Sequence, residues 1–161
     1  MTDLNLDETH SSTLKSWVES SVYAGDFPLQ NLPLGLFRRA TGQPRIGTAI
    51  GQVVLDLERT VSVGVLGTLD PELHEALIAP TLNRLFALGR PALRSVRHAI
   101  HSLLRADSTL PRPPEECLIP LKDVELRYIR QVLERFDNNY TKAAQVLGVN
   151  RNTLYNRLKE K

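Results

Sequence analysis

The chain has 161 residues, 42% of them hydrophobic and 24% charged, which is enough apolar material for one ordinary domain or two small ones and too much for a disordered chain. A single cysteine, Cys117, excludes an intramolecular disulfide and a thiolate-rich metal site, and the early acids Asp3, Asp7, Glu8 and Glu19, with no basic start before an apolar run, argue against a secretory signal. The net charge of +2 is uneven: residues 122–161 hold nine Lys/Arg against five Asp/Glu while the rest is net negative, so a polyanion partner is expected for the C-terminal quarter only.

Residues 1–22 are polar and rich in Ser and Thr, and read as a partly ordered extension in which Trp17 and Val18 anchor a short helix. Pro28 and Pro33 break the run Phe27–Phe37 into two short extended pieces around a turn. Arg38–Pro44 reads as a loop. Arg45–Ile50 reads as a strand, Gly51-Gln52 as a tight turn and Val53–Leu57 as the return strand, with a further β-prone stretch at Val61–Leu66. These pieces predict a small sheet or barrel. Asp70-Pro71-Glu72 starts a helix whose buried face is Leu73, Leu77 and Ile78. Leu82–Leu88 predicts a short helix stopped by Gly89. Pro91 opens a longer one, with Leu93, Val96, Ile100, Leu103 and Leu104 at helical spacing and Arg90, Arg94 and Arg97 outside the stripe. Asp107–Glu116, with Pro111, Pro113 and Pro114, is the clearest break in the chain, and the apolar run Cys117–Leu121 follows it.

From Asp123 the pattern is helical throughout. Val124, Tyr128 or Ile129, Val132, Leu133 and Phe136 form one apolar face, and Asp137-Asn138-Asn139 ends that helix. Asn139 caps a second helix, Tyr140–Leu147, whose inner Ala143 and Ala144 permit a close helix crossing. Gly148 supplies a positive φ for a sharp turn, Val149 plugs it, and Asn150 caps a third helix, Arg151–Lys159. Leu154 and Leu158 are its buried side; Arg151, Asn152, Tyr155, Asn156 and Lys159 are left outside. Helix, glycine turn, helix is the geometry that lays the second helix in the major groove. Arg pairs there with guanine and Asn with adenine. Thr141, Lys142 and the first amides of the preceding helix are placed for phosphates.

This segment resembles the Fis-type helix-turn-helix. The residues behind the likeness are Tyr128-Ile129, Val132-Leu133, Asn139-Tyr140-Thr141-Lys142-Ala143-Ala144, the run Leu147 to Tyr155, and Leu158-Lys159. The resemblance implies that Asn139 and Thr141 fix the phosphate backbone and that Asn150, Arg151, Thr153, Tyr155, Asn156 and Arg157 lie at or beside the groove. Basic residues are common in the family where Tyr155 and Asn156 stand here.

The front of the chain resembles the N-terminal domain of fumarylacetoacetase, the enzyme that hydrolyses fumarylacetoacetate. The matching runs are Asp26–Phe37, Pro44–Gly51 with Leu55-Asp56-Leu57, Leu82-Asn83 and Leu88–Ala92. The resemblance implies an α+β fold: a small SH3-like β-barrel with added helices, followed here by the all-α helix-turn-helix. It also implies that metal-binding carboxylates and a catalytic His belong to a following, larger domain, at whose expected place this chain turns into the helix-turn-helix. Three parts are therefore expected: an extension at 1–22, a fumarylacetoacetase-like domain at 23–121 and a DNA-binding domain at 122–161.

No catalytic constellation is expected in the front domain. His98 and His101 lie three apart on a predicted helix, with no carboxylate or cysteine at helical spacing to complete a metal site. His10 precedes Ser11, Ser12 and Thr13 in a polar stretch without an orienting frame. Asp56 and Glu58 read as solvated at a strand end. The expectation is a non-enzymatic protein without metal or cofactor that binds double-stranded DNA as a homodimer. No apolar run approaches the ~18 residues of a membrane span, and the expected location is cytoplasmic, on the nucleoid.

Overall fold

The structure, a computed structural model, describes residues 6–23 and 26–159. Residues 1–5 of the expected extension, Ala24 and Gly25 of the expected front domain, and Glu160 and Lys161 lie outside the described residues. The chain divides into two compact units, residues 1–121 and 122–161.

Four short strands organise the first unit: β1 (Leu34–Phe37), β2 (Arg45–Ile50), β3 (Val53–Asp56) and β4 (Leu118–Pro120). Each pairs antiparallel with the next, in the order β1-β2-β3-β4. The β2–β3 hairpin is set at Gly51-Gln52, with Ile50 opposite Val53 and Thr48 opposite Leu55. Gly51 has φ +55, and a Cβ there would lie 2.3 Å from Ser20 Oγ, so glycine is required on both counts. Ser20 Oγ in turn accepts the Gln52 N–H at 3.0 Å, which ties the short helix α1 (Ser20–Tyr23) to the turn.

The sheet is open, and the expected SH3-like barrel is not formed. β1 and β4 are its two edges and do not pair with each other. Closure needs a strand to bridge them, and the β-prone stretch Val61–Leu66 forms none: Val61 and Ser62 end a helix and residues 63–66 are turn. Asp56 caps helix α2 (Leu57–Ser62), its side chain accepting the Arg59 N–H at 3.1 Å, while Thr60 Oγ1 donates to the Asp56 carbonyl at 2.6 Å. That cap ends the return strand one residue before Leu57 and turns Val61 and Ser62 into a helix end. A local hydrogen-bond device thus overrides β propensity.

Helices α3 (Pro71–Leu77), α4 (Asn83–Ala87) and α5 (Gly89–Leu104) complete the unit. In α3 the buried face is Leu73, Ala76 and Leu77; Ile78 is 48% exposed, because the helix ends before it and the chain leaves the core. Gly89 has φ +78 and is the bend from which α5 starts, so it joins two helices as well as stopping one. Val96, Ile100, Leu103 and Leu104 of α5 are buried together with Ile46, Ile50 and Leu55 of the sheet in one core. The proline-rich stretch is not a divide. Pro113 is buried, Leu110 packs on the core, and the chain then returns to the sheet as β4. Cys117, just before β4, is fully buried, and burial pushes its thiol above the ordinary value.

Among the described residues the N-terminal extension is held more firmly than its composition suggests. Trp17 Nε1 donates to the Leu103 carbonyl at 3.0 Å, Ser16 Oγ to that of Leu104 at 2.7 Å, and Gln30 Nε2 to Ser11 and Leu14. The Trp17 and Ser16 bonds use carbonyls at the C-terminal end of α5, which the helix itself leaves without partners.

Among the described residues the second unit is built of helices: α6 (Leu121–Arg135), α7 (Tyr140–Leu147) and α8 (Arg151–Lys159). Helix α6 begins two residues before the expected Asp123. Ile129, Val132 and Leu133 face inward, whereas Tyr128 is 58% exposed. They meet Ala143, Ala144 and Leu154 in a small separate core.

Candidate nucleic-acid interface

The turn after α6 prepares α7. Asp137 and Asn138 both have positive φ, +50 and +59, conformations that short polar side chains tolerate. Asn139 then caps α7, its side-chain oxygen accepting the Lys142 N–H at 3.1 Å. At the other end Gly148 has φ +65, its N–H donates to Gln145, and the Val149 N–H donates to Ala144 at 3.0 Å. This pair of bonds is a Schellman turn, which stops α7 and redirects the chain within two residues. Asn150 follows as the next cap: its Oδ1 accepts the Asn152 N–H at 2.9 Å and its carbonyl accepts the Leu154 N–H at 3.1 Å.

Ala143, with no exposure, and Ala144 let α8 approach closely, and Leu154 is sealed between the helices. The opposite side of α8 is polar. Asn150, Arg151, Asn152, Thr153, Asn156, Arg157 and Lys159 are all exposed, as are Asn139, Thr141 and Lys142 around the start of α7. The expected set thus falls on two helix starts and the outer side of α8. Tyr155 departs from it. Its ring is half-buried and stacked on Tyr140, with centroids 4.4 Å apart and planes within 1°. The Arg151 guanidinium lies over the Tyr155 ring, 5.6 Å from its centroid. Arg157 is engaged as well, its Nη1 2.7 Å from Glu125 Oε2 on α6. Tyr140 and Glu125 are outside the set drawn from the sequence. Each acts across a helix crossing, which neither local spacing nor capping signals reveal.

In the first unit two groups of side chains correct the sequence reading. Asp56 is not solvated: it has no exposure, and its Oδ2 accepts from Arg39 Nε at 2.8 Å and Arg45 Nη1 at 3.0 Å. Glu58 faces the same Arg45 at 3.2 Å. His98 gains carboxylates that helical spacing could not show, because they come from the extension. Its Nε2 lies 2.9 Å from Asp7 Oδ2 and its Nδ1 3.1 Å from Glu8 Oε1. The ligand atoms of Asp7, Glu8 and His98 lie within 4.8 Å of one another. The arrangement is a hydrogen-bonded clamp, since the carboxylates take opposite ring nitrogens and Arg94 already sits 3.1 Å from Asp7 Oδ2. Hydrogen bonds from Thr9 hold the Asp7 carboxyl far below the usual carboxylate range. No helix of the described residues is long and apolar enough to cross a membrane.

Residues 30–128 match the family described as Fumarylacetoacetase N-terminal, and residues 120–160 match that described as Bacterial regulatory protein, Fis family. The two matches overlap at residues 120–128, along the first half of α6. Fumarylacetoacetase of Oryza sativa subsp. japonica is 34% identical over 127 residues, covering 74% of this chain and 29% of that protein. The Arabidopsis thaliana protein is 34% identical over 87 residues, covering 53% and 21%. The Homo sapiens protein is 38% identical over 80 residues, covering 49% and 19%. The chain spans less than a third of the length of these relatives. The Fis-family match supports a DNA-binding, regulatory role for the C-terminal segment.

Proposed function

We propose that this chain, which belongs to the fumarylacetoacetase N-terminal family and bears a Fis-family helix-turn-helix behind that part, is a regulator that binds double-stranded DNA as a homodimer and is not itself an enzyme. The observation behind this reading is the exposed start of α8, Asn150-Arg151-Asn152, offered beside the capped start of α7. In this reading Arg151, Asn152 and Asn156 face base edges, with Asn150 and Thr153 beside them. Asn139, Thr141, Lys142, Arg157 and Lys159 take phosphates. Tyr155 lies at the rim. Residues 122–161 form the DNA-binding domain, residues 23–121 the family domain, and residues 1–22 an extension, whose Ser11–Trp17 part is hydrogen-bonded to the latter. The protein works in the cytoplasm, on the nucleoid.

Dimerisation follows from affinity. One short helix-turn-helix makes few phosphate contacts, and two copies about one helical turn (~34 Å) apart read a palindrome. In vitro selection with the full chain should enrich a symmetric site, and sedimentation should give a dimer. Gel shifts at two salt concentrations then test the contact set. Binding should weaken steeply with salt, and Arg151→Ala should cost roughly 1–3 kcal/mol on the selected site with little loss on random DNA. No binding at low salt would sink the reading.

The family of residues 30–128 supports a second role for that domain, as a sensor of fumarylacetoacetate-like diacids or as a plain assembly scaffold. Titration calorimetry separates the two: heat on adding such a diacid marks a sensor, and its absence at millimolar ligand marks a scaffold.

A further inference from the structure

Tyr155 occupies a place where a polar contact with DNA would be expected, yet its ring is already used. It stacks on Tyr140, the first residue of α7, at 4.4 Å and with parallel planes. Arg151 lies four residues before it on the same helix face, with its guanidinium carbon 5.6 Å from the ring centroid. Parallel rings and a cation over a π face are both attractive arrangements. An arginine that must pair with a base edge from solvent loses many rotamers on binding, and a seat that holds it beforehand reduces that loss. The ladder also joins two helices whose first turns carry exposed polar residues: Thr141 and Lys142 on one, Asn152 on the other.

We propose, on the footing of the DNA-binding reading above, that Tyr155 is a positioning residue: stacked on Tyr140, it holds the Arg151 guanidinium ready for the base edge and governs selectivity through Arg151, without a nucleic-acid contact of its own. A tyrosine hydroxyl on a phosphate would leave a different trace. It would add affinity for the selected site and for random DNA alike and leave base preference untouched.

The test uses the full chain and a DNA site selected by it. Affinities for that site and for random DNA are measured across a salt series, for the wild type and for Tyr155→Phe, Tyr155→Ala, Tyr140→Ala, Arg151→Ala and the Tyr155→Ala/Arg151→Ala double variant. Tyr155→Phe keeps the ring, so selectivity and salt slope should stay as in the wild type. Tyr155→Ala and Tyr140→Ala should each lower the ratio of specific to random affinity by about tenfold, within the range of one bidentate base contact, at unchanged slope. The double variant should lose no more selectivity than Arg151→Ala alone. Proton NMR of the free protein adds a readout without DNA: Arg151 side-chain protons should be shifted upfield by the ring in the wild type and Tyr155→Phe, and not in Tyr155→Ala. Should Tyr155→Ala unfold the helix pair, Tyr155→Leu takes its place, keeping bulk and removing the π face. Affinity lost equally on the selected site and on random DNA in Tyr155→Phe, or selectivity intact in Tyr155→Ala, would overturn the proposal. A wild type that binds with steep salt dependence but shows no ring shift overturns this inference alone. One that shows the shift but binds no DNA at low salt overturns the DNA-binding reading, and the inference with it.

Discussion

Asp56 has no solvent to share its charge, and both of its carboxylate oxygens are spoken for. Oδ1 accepts from the Arg59 amide, and Oδ2 from Arg39 and Arg45. It therefore ends a strand, starts a helix and pairs with two arginines. Removing this buried carboxylate takes the cap from the Arg59 amide and the carboxylate partner from Arg39, and leaves Arg45 with Glu58. Asp56→Ala should destabilise the front unit by about 3 kcal/mol or more, read as a lower midpoint in urea unfolding; a change below about 1 kcal/mol would show that the site relaxes around the loss. None of this was legible locally. Arg39 stands 17 residues away, in what reads as a loop, and Arg45 reaches Asp56 only through the hairpin register. The caps at Asn139 and Asn150 were legible, because each closes within three residues and its signal lies in the sequence itself.

At the scale of elements the same contrast recurs. Helices α7 and α8 follow from caps, a turn glycine and a 3.6-residue stripe, and those signals agree. Val61–Leu66 has β-branched residues that speak for a strand, but the cap one turn upstream decides otherwise, and with it goes the barrel. Crossings between helices stay hidden from such reading, and the tie from Arg157 on α8 to Glu125 on α6 is one of them. Both side chains are nearly half exposed, so the pair adds little stability, about 0–1 kcal/mol. Its effect on binding should be larger. Glu125→Gln releases Arg157 toward phosphate, which should steepen the salt dependence by up to ~0.9 per monomer and raise affinity at low salt, with the melting temperature almost unchanged. An unaltered slope would take Arg157 out of the interface.

The whole molecule joins a larger core to a very small one. Among the described residues the C-terminal unit buries six hydrophobic residues in its own cluster. A core of that size is marginal by itself, so partners that bind the folded form should raise its stability noticeably. Calorimetry of the full chain should show a weaker transition from the helical unit. DNA at about a hundredfold over its dissociation constant should stabilise that transition by ~2.7 kcal/mol, and the front unit's transition should stay where it is. A transition that ignores DNA would mean that the helical unit does not bind it. The charge follows the same division, since the net positive charge lies in residues 122–161.

The lone buried thiol gives the front unit an internal clock. Cys117 is the single cysteine of the chain, and no part of it reaches the surface. An aromatic disulfide reagent can react with it only while the segment around β4 is open, so the labelling rate counts openings that no spectroscopic average records. In native buffer the reaction should run about a thousandfold or more slower than with a free thiol, and Asp56→Ala should quicken it. The chain needs no engineered probe to report how often its sheet comes apart.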